Sequence, residues 1–455
     1  MSTVQHTPLD HLASLLDGDL TLPGQLRWDD ARRAWQLAVD QHPVAVVEAE
    51  SVADIVATVH AAARAGLRVA PQSTGHNAQP LGPLEDTILL RTNRMRGVTI
   101  DAEGMSARVE AGAIWADVVA PAAEHGLAAL AGSSPTVGVV GYTLGGGIGW
   151  LARSHGLASN SVTAIEVVDA AGGIRRVDAE HDADLFWALR GGGGAAAIVS
   201  AMEFRLYPLT EVFAGALMWP IDRAADVVDA WRQWVRDVPA SVTSLSRVLR
   251  YPTIPDLPPF LQGRSFVSIE FAIQEEASVA EEMLHALRAL QPEIDTAAVT
   301  PVSRLGMLHG DPPTPVPAFG EVILLAELNA DCVEAFVEGA TDDAAGPLLS
   351  IEMRHLGGEL APGRGEGGAL DALDAEALVF AVGTTPTPEA RAAVTAAAGR
   401  MIGAVERWGS PREFANFVEQ PRDAEKLYGQ SLDRLRRIKA AYDPTDLIRS
   451  NHPVG

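Results

Sequence analysis

The residues with the clearest chemistry lie in the segment Ala70-Pro71-Gln72-Ser73-Thr74-Gly75-His76-Asn77-Ala78. Leu67 to Ala70 read as an apolar strand, Pro71 and Gly75 break it, and Ser73, Thr74 and Gly75 give a turn whose backbone N–H groups can converge on an anion. A histidine ending such a turn can reach a phosphate-bound cofactor; the alternative is a solvated loop histidine. From Ala131 to Gly149 the chain is almost all Gly, Ser, Thr and small apolar residues, too glycine-rich for a helix and too uncharged for a linker. Backbone is brought close to another group there. A third candidate is Ser350-Ile351-Glu352-Met353-Arg354-His355, where strand alternation puts Glu352 and Arg354 on one face and Met353 and His355 on the other. One pair at most can face a site.

Composition narrows the chemistry. With 455 residues, 47% of them hydrophobic, the chain can bury a large core, as two domains or one domain with a sizeable insertion. A formal net charge of −24 argues against nucleic acid or an anionic membrane as partner, since both require clustered Lys and Arg. No apolar run approaches ~18 residues, and Met1 to Leu20 lacks a basic start followed by an apolar block, so a cytoplasmic protein with no membrane span is expected. The single cysteine, Cys332, rules out an internal disulfide and a cysteine-held metal cluster. The two lysines, Lys426 and Lys439, both sit in a charged stretch near the C-terminus, which leaves a P-loop lysine or a pyridoxal Schiff base almost nowhere to sit. No G-x-G-x-x-G opens a strand-to-helix turn, so a nucleotide here is not held in the Rossmann manner.

Strand and helix alternate in the first half. Pro43 to Glu50 reads as a strand, and Ser51 caps a helix running to Gly66. Short strands follow at Thr87 to Arg91, Val98 to Asp101 and Ala107 to Ala111, then an amphipathic helix from Ile114 to His125. A hairpin is expected over Val162 to Asp169 and Arg175 to Asp178, and a strand over Ile198 to Tyr207. After Pro208 the texture changes to longer alternating strands at Phe213 to Trp219, Phe266 to Ile273, Val322 to Leu328, Leu349 to His355 and Ala377 to Val382. Helices such as Val279 to Leu290 and Glu389 to Val405 lie between them. That pattern reads as a separate antiparallel sheet backed by helices.

Four separated segments resemble one family. They are the Gln72-Ser73-Thr74-Gly75-His76-Asn77 loop, the Gly132 to Gly138 turn with Gly141 and Gly145 to Gly149, the Asp184 to Gly194 stretch, and Tyr442-Asp443-Pro444 through Asn451-His452. Together they resemble the berberine-bridge-enzyme-like flavoproteins of the vanillyl-alcohol-oxidase-type FAD superfamily. The resemblance implies an α+β chain with a two-part FAD-binding domain: residues 1–210 (FAD-binding module about 38–210) and 408–455, with an antiparallel substrate domain at 211–407. It also implies that His76 carries an 8α-histidyl bond to FAD. Pro71, Gln72, Ser73, Thr74, Gly75, Asn77, Ser133, Ser134, Thr136, Val137, Gly138, Gly141, Tyr142, Gly149, Val167, Asn416 and Asn451 would complete the cofactor site.

The departures sharpen the expectation. Many relatives carry a cysteine in the second glycine turn that makes another flavin bond; Ser134 stands there, so the tether is monocovalent. Gln72 replaces the usual basic residue of the first loop. Val137 occupies the position that governs oxygen access in plant relatives and resembles the oxidase version. The family's Tyr-x-Asn-Tyr segment is Phe414-Ala415-Asn416-Phe417 here, so the usual phenol is gone and a base must come from elsewhere or be unnecessary. Tyr142, Glu352 and His355 are the candidates. The expected function is an FAD-dependent oxidase of specialised metabolism or sugar oxidation, a monomer or homodimer. It would remove hydride from a hydroxyl, amine or activated C–H of a small molecule and reduce molecular oxygen to hydrogen peroxide. A dehydrogenase with another acceptor, or a cyclase or isomerase in which FAD is not cycled, stays open.

Overall fold

A polar strand register under the C-terminal half of the chain, and glycine turns in the N-terminal half, set where every candidate residue sits. The structure, a computed structural model, describes residues 8–255, 257–364 and 367–455; part of the Met1 to Leu20 reading therefore lies outside the described residues.

The first sheet has four strands in the order Asp19–Thr21, Ala45–Glu48, Thr87–Arg91, Arg68–Gln72, of which the last three run parallel. The Val52–Ala65 helix makes the parallel crossover. Ser51 caps it by accepting from the Asp54 backbone N–H, and Gly66 ends it in the left-handed conformation (φ 66°) that a Cβ disfavours. Ile55, Val59 and Ala62 bury the inner face. The C-terminal tail returns to this sheet: Val69 N–H donates to Leu447 O, and Arg449 N–H to Val69 O (both 2.8 Å). A second, five-stranded antiparallel sheet is ordered Val98–Asp101, Ser106–Glu110, Ile198–Arg205, Val162–Val168, Ile174–Asp178.

The third sheet has eight strands. Its main path is Ile294–Asp295, Glu211–Pro220, Ser265–Ile273, Val242–Arg250, Ser350–His355, Ala377–Thr384 and Ala318–Leu325, with Ala298–Pro301 added on Glu211–Pro220. One face is covered by the Ala224–Asp237, Ala330–Thr341 and Pro388–Val405 helices, which share a core with Phe271, Ile351, Met353 and Val379. The buried thiol of Cys332 lies in that core, where burial pushes its pKa up to about 12. The opposite face is partly apolar and joins the N-terminal core through Val322, Leu324, Leu378 and Phe380. Among the described residues no helix is long and apolar enough to cross a membrane.

Two local expectations are corrected. The glycine-rich segment does contain a helix, Val139–Leu144. Its one internal glycine, Gly141, leaves Val139, Val140 and Thr143 to bury a continuous face, and the Thr143 hydroxyl donates to Val139 O. The expected Val279 to Leu290 helix is instead two pieces, Ala277–Met283 and His285–Arg288, separated at the fully buried Leu284. The Ala224–Asp237 helix and the Val242–Arg250 strand, unread from the sequence, complete the sheet and its cover.

The free edge of the sheet is closed by a carboxylate. Glu419 accepts from the Gly320 N–H on the terminal strand and from Gln79 Nε2 of the cofactor-side loop (both 2.9 Å). Burial raises its pKa from an ordinary 4.5 to about 7, against the opposing pull of the Gly320 N–H and Arg391. A carboxyl raised on folding contributes fully below about pH 4.5 and loses that contribution as pH climbs through about 7. Glu419→Gln is therefore expected to be more stable than the parent at pH 8, by up to roughly 3 kcal/mol, and near parity at pH 4.5. Thermal or urea melts at the two pH values check this, and a difference independent of pH would refute it.

Candidate functional site

The His76 loop leaves the Arg68–Gln72 strand and is clamped from outside. Arg91, buried, donates from Nη2 to Ser73 O (3.0 Å) and from Nη1 to Ala31 O and Arg33 O (3.1 and 2.8 Å), binding the loop to the 28–42 segment. Gly75 has φ +82°, and a Cβ there would press on Ala34, so the turn requires glycine. Trp35 stacks on the His76 ring with centroids 4.3 Å apart and planes 15° apart. The imidazole Nδ1 pairs with Thr74 Oγ1 at 2.8 Å, and Nε2 lies 3.4 Å from Thr136 Oγ1. Burial drops the His76 pKa to about 3, so the ring is neutral at ordinary pH and one nitrogen keeps its lone pair.

The glycine turn packs directly on this loop. A Cβ on Gly138 would lie 3.2 Å from Ser73 Oγ, and Ser134 Oγ pairs with Thr136 Oγ1 (3.1 Å), which continues to His76. Val137 O accepts from the Trp115 N–H, while Ser133 is half-buried in the same turn. The Tyr142 ring is held between Gly132 and Gly147, where a Cβ on either would collide with it, and meets the edge of Trp115 at 5.3 Å. Gly149 lies against Ala131 O, with no room for a side chain, whereas Gly141 opens onto free space.

The C-terminal segment closes the third side. Asn77 Nδ2 donates to Ala415 O (3.2 Å), Asn416 Nδ2 to Tyr142 O (2.9 Å), and Asn451 Nδ2 to Asn77 O (3.5 Å). Each of the first two amides uses its N–H on backbone and leaves Oδ1 buried without a donor; the Tyr142 hydroxyl is equally buried and unpartnered. A Cβ on Gly145 would occupy the space of Asn416 Oδ1, so this junction admits only glycine. Unpaired buried polar atoms are few in folded proteins and each calls for a partner. Two unpaired amide acceptors on segments that meet at the His76 loop fit a flat heterocycle with its own N–H groups, such as the flavin of FAD.

Not every sequence candidate lines this cluster. Gln72 is buried and its amide pairs reciprocally with Gln41 (3.1 and 3.2 Å). Pro71 remains in the strand opposite Leu90, and Val167 is wholly buried in the Val162–Val168 strand with its side chain in the core.

Across from the cluster, the eight-stranded sheet presents a chain of buried charges. Arg247 Nη1 donates to Glu270 Oε1 (3.1 Å) and to His309 O (2.8 Å), and its Nε donates to Ser350 Oγ (2.7 Å). His309 Nδ1 pairs with Glu270 Oε2 (2.9 Å), His309 Nε2 lies 3.1 Å from Glu352 Oε2, and Arg354 Nη2 donates to Glu352 Oε1 (3.0 Å). The His309–Glu352 contact is at ion-pair distance but off the line of a hydrogen bond. Burial and Arg247 oppose a charge on His309, yet Glu270 and Glu352 outweigh them and raise its pKa to about 9. Burial works against the Glu352 carboxylate too, but Arg354 and His309 hold it well below the usual range. Burial raises the Tyr142 phenol far above its ordinary value, so it stays a neutral hydroxyl.

Arg354 lies over the Phe417 ring (5.6 Å to its centroid), and Phe417 meets the edge of Phe380 at 5.3 Å, which connects this face to the Asn416 segment. The Glu352 and Arg354 pair therefore faces the cluster. His355 points to the helix-covered side, edge-on to Trp231 at 6.5 Å, with its pKa lowered to about 3 by burial and by Arg153. It is not brought together with Tyr142 and Glu352. Arg247, Glu270 and His309 were missed from the sequence. The first two alternate with apolar residues along their strands, a legible signal, but His309 sits in an aperiodic loop and acquires meaning only from the carboxylates beside it.

Comparison with known proteins gives the same picture. Residues 43–178 match the family model described as an FAD binding domain, and residues 414–455 match the model described as berberine and berberine like. The chain is 32% identical over 220 residues to (R)-6-hydroxynicotine oxidase of Paenarthrobacter nicotinovorans, a match covering 48% of this chain and 47% of that protein. It thus spans about half the length of that relative. It is 25% identical over 460 residues, 94% of each chain, to the FAD-linked oxidoreductase YgaK of Bacillus subtilis (strain 168). In fold it is similar to an Ile-to-Val variant of the grass pollen allergen Phl p 4 described as a glucose oxidase (TM-score 0.81, 19% identity, 99% of each chain), whereas Phl p 4 itself is described as having glucose dehydrogenase activity. Two separate segments of the chain thus match models of the berberine-bridge-enzyme-like FAD-linked oxidoreductases, and the whole chain is similar to them in fold.

Proposed function

We propose that the protein is an FAD-dependent oxidase tethering its flavin through His76. It removes hydride from a hydroxyl, amine or activated C–H of a small molecule and passes the electrons to dioxygen, giving hydrogen peroxide. The observation that carries this reading is the juxtaposition of two features: unpartnered polar atoms beside His76, and a buried carboxylate on the sheet facing them. Bound FAD would supply the hydride acceptor; the chain's own groups bind, orient and move the proton.

Asn77 and Asn416 offer oxygen acceptors, and Tyr142 a hydroxyl held rigid by two glycines. Neutral His76, pinned through Nδ1 to Thr74 and packed under Trp35, has the lone pair that a covalent link requires. Glu352 is the group suited to receive the substrate proton, because it is ionised and faces the cluster. Val137 supports oxygen as acceptor by its resemblance to the oxidase version of that position. An Ile-to-Val change likewise distinguishes the described glucose oxidase from its dehydrogenase parent. A dehydrogenase with another acceptor differs in one measurement, peroxide released per substrate consumed in air. A non-redox cyclase or isomerase would turn over equally well with its flavin reduced beforehand under argon.

Two outcomes are expected. Acid-precipitated wild-type protein keeps a yellow pellet, while His76→Ala gives a colourless one; a coloured variant pellet would eliminate the tether assignment. Glu352→Gln lowers kcat by roughly 10²- to 10⁴-fold with flavin content unchanged. Stopped-flow flavin reduction reads that step directly, and an unaltered rate would remove Glu352 from the chemistry.

A further inference from the structure

The charge chain under the cluster leaves its Arg354 end short of acceptors. Arg247, Glu270, His309, Glu352 and Arg354 alternate in sign, and with His309 protonated up to about pH 9 three cations face two carboxylates. Asp311 is the other nearby carboxylate, 3.9 Å from the same His309 Nε2 that faces Glu352, and its side chain is 29% exposed to screening water. At the Arg247 end the guanidinium is answered by Glu270, Ser350 Oγ and the His309 carbonyl. At the Arg354 end it is not. A guanidinium has five N–H donors in a planar fork; Glu352 takes one from Nη2, the ring face of Phe417 lies alongside, and Nε is buried with no acceptor. Arg354 is only 5% exposed, so water does not readily supply that acceptor.

A second unanswered donor lies on the cofactor module. The Tyr142 hydroxyl is buried and unpartnered, and it lies near enough for the Arg354 charge to act on the phenol. It belongs to the cofactor module and Arg354 to the sheet, and Phe417 joins the two through Asn416, which holds the Tyr142 carbonyl. A planar cation with a free N–H, within electrostatic reach of a neutral hydroxyl, matches a two-oxygen anion better than a neutral polyol, and it repels a substrate cation.

We propose that Arg354 anchors a carboxylate on the substrate, with the Tyr142 hydroxyl as second donor, so that the protein acts on small carboxylated molecules. This rests on the oxidoreductase reading above for the reaction, though the recognition itself is a binding property. Glu352, bound to the same guanidinium through Nη2, then lies within the same bound complex as the proton acceptor. Arg354 is thereby a specificity-determining residue, distinct in role from the base.

Calorimetric titration of the flavin-loaded protein with benzoate and phenylacetate, each against its neutral amide, tests the proposal. The expected result is that each carboxylate binds tighter than its amide by on the order of tenfold or more, and that Arg354→Gln removes the difference while Arg354→Lys keeps part of it. The wild-type comparison decides without either variant folding: equal affinity for acid and amide, or no binding of either, overturns the proposal. So does an Arg354→Gln protein that retains the preference, or one in which only the flavin's reduction potential moves. Failure of the oxidase reading shows itself separately, as a colourless protein or as no peroxide from any substrate, and leaves the acid-against-amide comparison to be judged on its own result.

Discussion

Two polar atoms that the chain does not satisfy, Asn77 Oδ1 and Asn416 Oδ1, sit where the His76 loop and the glycine turn meet the C-terminal segment, and a third, the Tyr142 hydroxyl, is buried on the helix that follows that turn. Leaving a buried donor or acceptor unpaired costs about 1–3 kcal/mol each, which is large beside the net stability of a domain. The surrounding structure must offset that cost and still hold the atoms in place. It does so with backbone: both asparagine N–H groups are fixed on carbonyls, and the Tyr142 ring is wedged where Gly132 and Gly147 have no side chains. The glycines are thus the means by which the polar atoms stay aimed, and the closed geometry of 131–149 follows from that requirement.

The sheet imposes a second constraint of the same kind. Glu352 lies opposite Arg247 on one neighbouring strand and Phe380 on the other, and Arg354 lies opposite Leu245 and Leu378. A slip of one residue would turn Glu352 and Arg354 into the helix-covered core beside Trp231 and Phe271, and bring Ile351 and Met353 to the polar side. Burying two charges there without partners is prohibitive, so the register is fixed by the same residues that make the site. His309 acts as the joint. Its two ring nitrogens reach carboxylates on two different strands, Glu270 and Glu352, which lie on either side of the Val242–Arg250 strand.

Much of the cofactor side was legible because its signals are local. Gly75, Gly138 and the Asn416 and Asn451 positions report backbone shape within a few residues, and their spacing survives without knowledge of the fold. The strand alternation at Ser350–His355 was equally legible, but not which pair would face the site. That depends on Trp231, on the Ala224–Asp237 helix, which packs against the strand only in the fold. The Val139–Leu144 helix is hidden in the sequence because the glycines around it outnumber the short apolar face formed by Val139, Val140 and Thr143. Arg247, Glu270 and His309 become a unit only through contacts between residues 23 and 62 apart along the chain, a separation that no periodicity encodes.

The absence of a phenol at Phe417 has a mechanistic consequence. Phe417 packs between Phe380 and the Arg354 guanidinium, so its position is occupied by an apolar ring and the ionisable groups are left to Tyr142 on one side and Glu352 on the other. Their environments drive them apart: burial keeps Tyr142 protonated, while Arg354 and His309 keep Glu352 ionised. Such divergence is how one site provides a donor and an acceptor at the same pH. Yet a carboxylate held so far below its usual range is a weak base, and it gives little driving force for taking a proton from an ordinary alcohol before any bond to carbon has weakened. On the proposed mechanism the hydroxyl or amine proton leaves late, after hydride departure has made it acidic, with Glu352 as its acceptor.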